Sequence, residues 1–163
     1  MKVLIHDLGT ANKIEFEKNF DHVIYADGKY APCQGCFNCW TKHPAECYMK
    51  DSLKEVCRVI GRADEFTIIS ENCYGAYSPA VKNILDRSNG SSTPFSTYRG
   101  RQMHHTLRYG KHKMLRVYTY GSITPEEKKT FEFMAERNAI NYGYEQSEVI
   151  VLESLSELGG MFK

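Results

Sequence analysis

Apolar residues occur along this chain as short runs separated by amphipathic stretches. Val3 to His6, His22 to Tyr25, Phe66 to Ser70, Leu115 to Tyr120 and Val149 to Leu152 are compact apolar or β-branched runs. They predict strands near residues 2–6, 22–25, 65–70, 113–120 and 146–152. Between them the spacing changes to a helical period. Leu53, Val56, Cys57 and Ile60 fall at i, i+3, i+4 and i+7, which predicts a helix from about Ser52 with Asp51 as its N-cap. Ser78-Pro79 opens a second helix, whose buried face is Val81, Ile84 and Leu85. Thr124-Pro125-Glu126-Glu127 opens a third in the same way, with Phe131, Met134 and Ala135 facing inward and acids in the first turn. Asn12 to Asn19 is a shorter helix candidate, and Leu155–Leu158 a last turn.

Strict alternation of strand and helix predicts a single α/β domain over residues 1–163, with right-handed crossovers. Five strands in a chain of this length predict a doubly wound parallel sheet of order 2-1-3-4-5. Such sheets bind ligands beyond the carboxyl ends of their strands. Asp7–Asn12, Glu71–Ser78 and Tyr120–Thr124 would meet there. One segment breaks the alternation, a long inserted loop at about 87–112. It carries Arg99, Arg101, His104, His105, Arg108, Lys111 and His112, which suit either a phosphate-bearing ligand or a subunit contact. His104 and His105 are adjacent, so on a strand they point to opposite sides and make a poor metal pair.

Composition narrows the classes. A formal net charge of +1 gives no bulk attraction to nucleic acid or to an acidic membrane surface. No apolar run reaches twenty residues, so no membrane span is expected, and the apolar part of the opening is too short for a signal peptide. Six cysteines without such a signal point to a reducing, cytoplasmic setting.

The densest chemical signal is Cys33-Gln34-Gly35-Cys36-Phe37-Asn38-Cys39-Trp40 with Cys47 beyond it. Thiolates at this spacing can hold a soft metal or an iron–sulfur cluster, act as a redox pair, or simply line a loop. The seven intervening residues between Cys39 and Cys47 make a long last gap for a four-iron cluster. No metal is therefore expected at Cys33, Cys36, Cys39 and Cys47, and zinc held by three of them with His43 is expected still less.

The cysteine run, Cys47 and Lys50-Asp51 together resemble the flavodoxin-like NADPH-dependent FMN reductase family, which includes the iron–sulfur flavoproteins. The resemblance continues through Tyr74-Gly75-Ala76-Tyr77-Ser78, Lys82, Ile84-Leu85-Asp86-Arg87, Met103-His104-His105, Arg108-Tyr109 and Arg137-Asn138-Ala139-Ile140-Asn141. It thus spans roughly residues 31–143. It implies an FMN across the carboxyl edge of the sheet. Tyr74, Gly75, Ala76, Tyr77 and Ser78 would border the isoalloxazine ring, and Tyr120, Gly121 and Ser122 its other side. It further implies NAD(P)H as electron donor to an unidentified acceptor and a homodimer or larger homo-oligomer built partly by the 87–112 segment; from the net charge, no nucleic-acid partner is expected. In that family a Gly-Ser-Pro-rich loop after the first strand holds the phosphate. Here Asp7-Leu8-Gly9-Thr10-Ala11-Asn12 stands in its place, so only Gly9, Thr10 and Asn12 would serve a phosphate and Asp7 would repel it. Only fifteen residues separate His6 from His22, which makes the loop and helix short. FMN is therefore expected to bind weakly or to have been lost. Two functions are consistent with these features: a flavin-dependent oxidoreductase or electron carrier, and a degenerate flavodoxin-like protein that acts as a binding or regulatory module.

Overall fold

The computed structural model describes residues 1–9 and 15–162. Among the described residues, seven strands run in chain order as β1 (Lys2–His6), β2 (His22–Tyr25), β3 (Glu65–Glu71), β4 (Ser92–Arg99), β5 (Gln102–Leu107), β6 (His112–Tyr120) and β7 (Tyr144–Val151). Five of them form one sheet of order β2-β1-β3-β6-β7, in which every neighbouring pair is parallel. Counting only these five, the order is the expected 2-1-3-4-5. The helices are α1 (Val56–Gly61), α2 (Pro79–Arg87), α3 (Pro125–Tyr142) and α4 (Leu158–Met161), with short 3₁₀ turns at Glu15–Asn19, Asn89–Ser91 and Leu155–Glu157.

Strand alternation divides the core in two. Val3, Ile5, Phe66, Ile68, Leu115 and Val117 face the larger half, which α1, α2 and α3 cover with Val56, Ile60, Val81, Ile84, Phe131 and Ala135. Leu4, Ile69 and Tyr118 face the smaller half, closed by Phe16, Leu152 and Leu158. Phe162 completes it by packing on Phe16, Phe20 and Tyr118 at ring-centroid distances of 4.8, 5.5 and 5.1 Å. Ser78 and Thr124 cap α2 and α3 as expected, Thr124 within a full capping box with Glu127. Gly143 ends α3 in the left-handed conformation at φ 86°.

Three expectations need correction. Of the Asn12–Asn19 helix candidate, residues 12–14 lie outside the described residues, and Glu15–Asn19 is a 3₁₀ turn. Asp51 does not cap an α-helix. The helix begins only at Val56, while the Asp51 carboxylate accepts Leu53 N–H and Ala31 N–H and takes both arms of the Arg87 guanidinium, at 2.7 and 2.8 Å. A fully buried cation 36 residues away outweighs the local cap, because an unpaired charge in the interior costs far more than an uncapped turn. The 87–112 segment is not an irregular loop: β4 and β5 pair within it as an antiparallel hairpin. Among the described residues, no helix is long and apolar enough to cross a membrane.

The Asp51–Arg87 pair makes a stability prediction. The Arg87 guanidinium holds the Asp51 carboxyl down at about 2. Because this folded value lies below the ordinary value near 4, the pair stabilises the fold above about pH 4 and its contribution is lost as pH falls toward 2. Asp51→Asn should destabilise by roughly 3 kcal/mol at neutral pH by leaving Arg87 uncompensated. It should also flatten the acid limb of a urea-midpoint-versus-pH curve.

Candidate functional site

The carboxyl edge of the sheet is drawn together by one side chain. Asp7, just past β1, accepts the Tyr120 hydroxyl at 3.0 Å, the Ser70 hydroxyl at 3.4 Å and the Glu71 N–H at 3.0 Å. It thereby links the ends of β1, β3 and β6, so the starts of the three expected segments, Asp7, Glu71 and Tyr120, do meet, while residues 10–12 of the first lie outside the described residues. Burial and the neighbouring Asp7 carboxylate raise the Tyr120 phenol well above its ordinary value, so it remains a hydrogen-bond donor.

Beyond β3, Cys73 and Ala76 exchange both backbone hydrogen bonds around Tyr74 and Gly75, at 2.9 and 3.1 Å. Tyr74 and Gly75 have φ of 54° and 77°, so this is a tight turn with both central residues left-handed. Glycine takes that conformation freely, whereas a tyrosine there is strained by about 1 kcal/mol or more. The Tyr74 ring is 88% exposed. Asn72 clasps the turn, accepting Gly75 N–H at 3.0 Å and donating to the Ser122 carbonyl at 2.7 Å. Tyr74, Ser78, Ser122, Thr124 and Glu127 line an open cleft of about 510 Å³, with Glu71, Asn72, Cys73 and Pro79 completing it.

The expected site residues are therefore distributed unevenly. Tyr74, Ser78 and Ser122 reach the cleft. Gly75 is buried under the start of α3, and Ala76 closes the turn. Gly121 sits at φ 89° beside the Glu71 side chain, and Tyr120 is turned to Asp7. Tyr77 points into the core, edge-on to Phe131 at 5.1 Å, with its phenol pushed up to about 12 by burial. Gly9 is exposed at φ 78° past β1, while Thr10 and Asn12 lie outside the described residues. Asn72 and Cys73 belong to the Glu71–Ser78 segment expected at this edge, whereas Pro79 and Glu127 lie outside the expected segments; the Thr124–Glu127 capping box was the available signal for Glu127.

This arrangement suits a planar ring better than a phosphate. An exposed tyrosine over a cleft offers a stacking face. The backbone donors expected to meet the ring's polar edge are mostly engaged within the loop: Asn72, Cys73, Gly75, Ala76 and Ser78 N–H groups all have internal acceptors. At the cleft end of α3, Thr124 N–H and Glu127 N–H are satisfied by the capping box and Pro125 has no N–H. Asp7, Glu71 and Glu127 add carboxylates, a poor setting for a dianion. Arg99 and Arg108 of the hairpin segment do not compensate here, since Arg99 donates to the Ile140 and His105 carbonyls and Arg108 to those of Gly90 and Ser92.

The cysteine loop forms a second locus, beside the end of α2. Cys33, Cys36, Cys39 and Cys47 line one small cavity of about 20 Å³ together with Arg87 and Asn89. Among the described residues, no three His, Cys, Asp or Glu side chains are placed to hold a metal ion. His104 hydrogen-bonds Asn141, whereas His105 packs on Trp40 at 4.5 Å, so the adjacent histidines do diverge.

No protein-family model matches the chain, and no curated protein matches it in sequence. Solved structures do match its fold. The NAD(P)H:quinone oxidoreductase from Methanothermobacter marburgensis is similar at 13% identity and TM-score 0.54, over 99% of this chain and 93% of that one. Azoreductase AzrA is similar at 10% identity and TM-score 0.55, over 99% and 93%. An FMN-dependent NADH-azoreductase from Bacillus anthracis str. Ames Ancestor, solved in complex with FMN, is similar at 11% identity and TM-score 0.51, over the same shares. The chain has a flavodoxin-like α/β fold. At these identities the likeness is one of fold.

The turn makes two opposed stability predictions. A Cβ on Gly75 would stand 2.7 Å from the Glu127 carbonyl oxygen, so Gly75→Ala must shift the start of α3 and should cost about 2 kcal/mol. Tyr74→Asn relieves left-handed strain without touching the core and should raise stability by about 0.5–1 kcal/mol. Urea unfolding of both variants checks the signs.

Proposed function

We propose that this protein is a flavin-dependent oxidoreductase or electron carrier that passes reducing equivalents from NAD(P)H to an acceptor. In this reading the isoalloxazine ring lies in the cleft between residues 71–79 and 122–127, with Tyr74 against its face. The observation that carries it is Tyr74. A large aromatic residue held exposed, in a strained conformation, at the carboxyl edge of a flavodoxin-like sheet is costly unless something stacks on it. The solved structures of this fold include NAD(P)H-dependent oxidoreductases and one with FMN bound, which supports the same reading.

A bound flavin would supply hydride and electron transfer. The chain's own residues would orient it. Asn72 fixes the turn against Ser122, Tyr74 provides the stacking face, and Asp7 holds Tyr120 and the strand ends in register. The carboxylates of Asp7, Glu71 and Glu127 disfavour a phosphate dianion at this edge, so FMN binds weakly and riboflavin nearly as well. A homo-oligomer is the assembly supported best, because β4 and β5 leave Phe95, Tyr98 and Met103 exposed on a hairpin lying outside the main sheet.

Calorimetry with FMN and with riboflavin tests this reading. The two affinities should agree within a few-fold, and Tyr74→Ala should weaken both by up to about tenfold, the worth of one aromatic stacking contact. A hundredfold preference for FMN would mean that residues 10–14 form a phosphate cradle. Absence of binding by either ligand would overturn the flavin reading.

A further inference from the structure

The cysteine locus is separate from the cleft, and nothing in the flavin reading uses it. Cys57, which lies on α1, is fully buried, whereas Cys39 is partly exposed and lines the small cavity. Both press on Gly90: a Cβ built there would stand 2.9 Å from the Cys39 Cβ and 2.9 Å from the Cys57 Sγ. The two groups are thus no more than twice that distance apart, with only the bare face of a glycine between them and the backbone. The Cys57 thiol donates to the Arg87 carbonyl at 3.2 Å.

We propose that Cys39 and Cys57 form a thiol–disulfide exchange pair whose substrate is a small disulfide, with Cys39 the attacking sulfur and Cys57 the resolving one. In the first step the Cys39 thiolate attacks a sulfur of the substrate R–S–S–R. The Cys39–S–S–R bond forms, the substrate S–S bond breaks, and RS⁻ leaves. In the second, Cys57 loses its proton to solvent and attacks the Cys39 sulfur. The Cys39–Cys57 disulfide forms and the second RS⁻ leaves. Two electrons have passed from the protein dithiol to the substrate, which is released as two thiols after proton uptake.

The surroundings assign these roles. The neighbouring Cys57 thiol is the main influence bringing the Cys39 thiol down to about 7, with Gly90 N–H and the Arg108 guanidinium adding to it, so much of it is thiolate at neutral pH. The Cys57 thiol is raised, first by the anion it serves and then by burial. Capping Cys39 as a mixed disulfide removes that anion and so makes Cys57 easier to ionise when it must attack. Cys33 and Cys36 are exposed and line the same cavity as Cys39. The cavity holds about one water, about 20 Å³, so a flexible small disulfide can present its sulfur to Cys39 more readily than a folded protein can.

The test uses the reduced full chain and glutathione disulfide. After brief exposure, free thiols are alkylated in denaturant and the peptides mapped by mass without reduction. The expected main product joins Cys39 to Cys57. Its formation should change the emission of Trp40, the only tryptophan, which adjoins Cys39. In Cys57→Ser the reaction should stop with glutathione on Cys39. Wild-type mapping stands on its own if that variant fails to fold. A wild-type product that pairs Cys33, Cys36 or Cys47 while Cys57 is recovered as a free thiol would overturn the proposal. So would glutathione trapped on Cys33 or Cys36 instead of Cys39 in Cys57→Ser.

Discussion

A guanidinium buried at the end of a helix has to be neutralised where it lies, and Arg87 organises much of this protein by that requirement. Its side chain has no exposed surface; Asp51 takes both of its arms and the Ala31 carbonyl takes one of them as well. Those bonds draw the stretch from Ala31 to Asp51 over the end of α2, although it has almost no regular structure of its own. Once it is there, Trp40 reaches the Asn89 carbonyl at 2.8 Å and packs between Phe37 and His105, joining the hairpin to the same locus. The Arg87 carbonyl in turn accepts the Cys57 thiol. Loop, helix end, hairpin and cysteine cluster all rest on one compensated charge, and removing Asp51 would leave a buried cation without its carboxylate partner.

The opposite end of α2 shows how little a shared fold decides about a shared ligand. A doubly wound sheet offers its carboxyl edge to ligands because loops diverge there. In this chain Asp7 ties the edge together from inside, and the loop after β3 satisfies most of its own donors. What is left open is an aromatic face and a cleft, with carboxylates around it. That combination favours a planar, weakly charged group and disfavours a phosphate, even though the fold is shared with an FMN-bound azoreductase.

The parts of this structure legible in the sequence were those with a period or a local cap. All five sheet strands lie within two residues of the positions expected from apolar runs; the inner strands β1, β3 and β6 carry most of the buried side chains, and the edge strands β2 and β7 still read as short apolar runs. Ser78 and Thr124 announced α2 and α3 through hydrogen bonds only a few residues long. Features that depend on distant partners stayed hidden. Asp51 has the chemistry of a cap, and only the fold brings Arg87 to it. The hairpin escaped notice because most of β4 and β5 is exposed and its residues, Ser, Thr, Arg, Gln and His among them, alternate with no buried face. Tyr77 and Tyr74 look equivalent in sequence, yet the tight turn sends one ring into the core and the other to solvent. The convergence of Cys39 and Cys57 needed α1 and the turn at Gly90 to be placed in space.

The central functional claim is that the cleft beside Tyr74 holds a flavin that can be reduced. It is tested most directly by mixing the protein with riboflavin in the absence of oxygen, adding NADH or NADPH, and following the flavin's visible absorption band. Bleaching should depend on the protein, be faster with wild type than with Tyr74→Ala, and reverse when an electron acceptor is admitted. A band that bleaches no faster with the protein present than in buffer alone would contradict it.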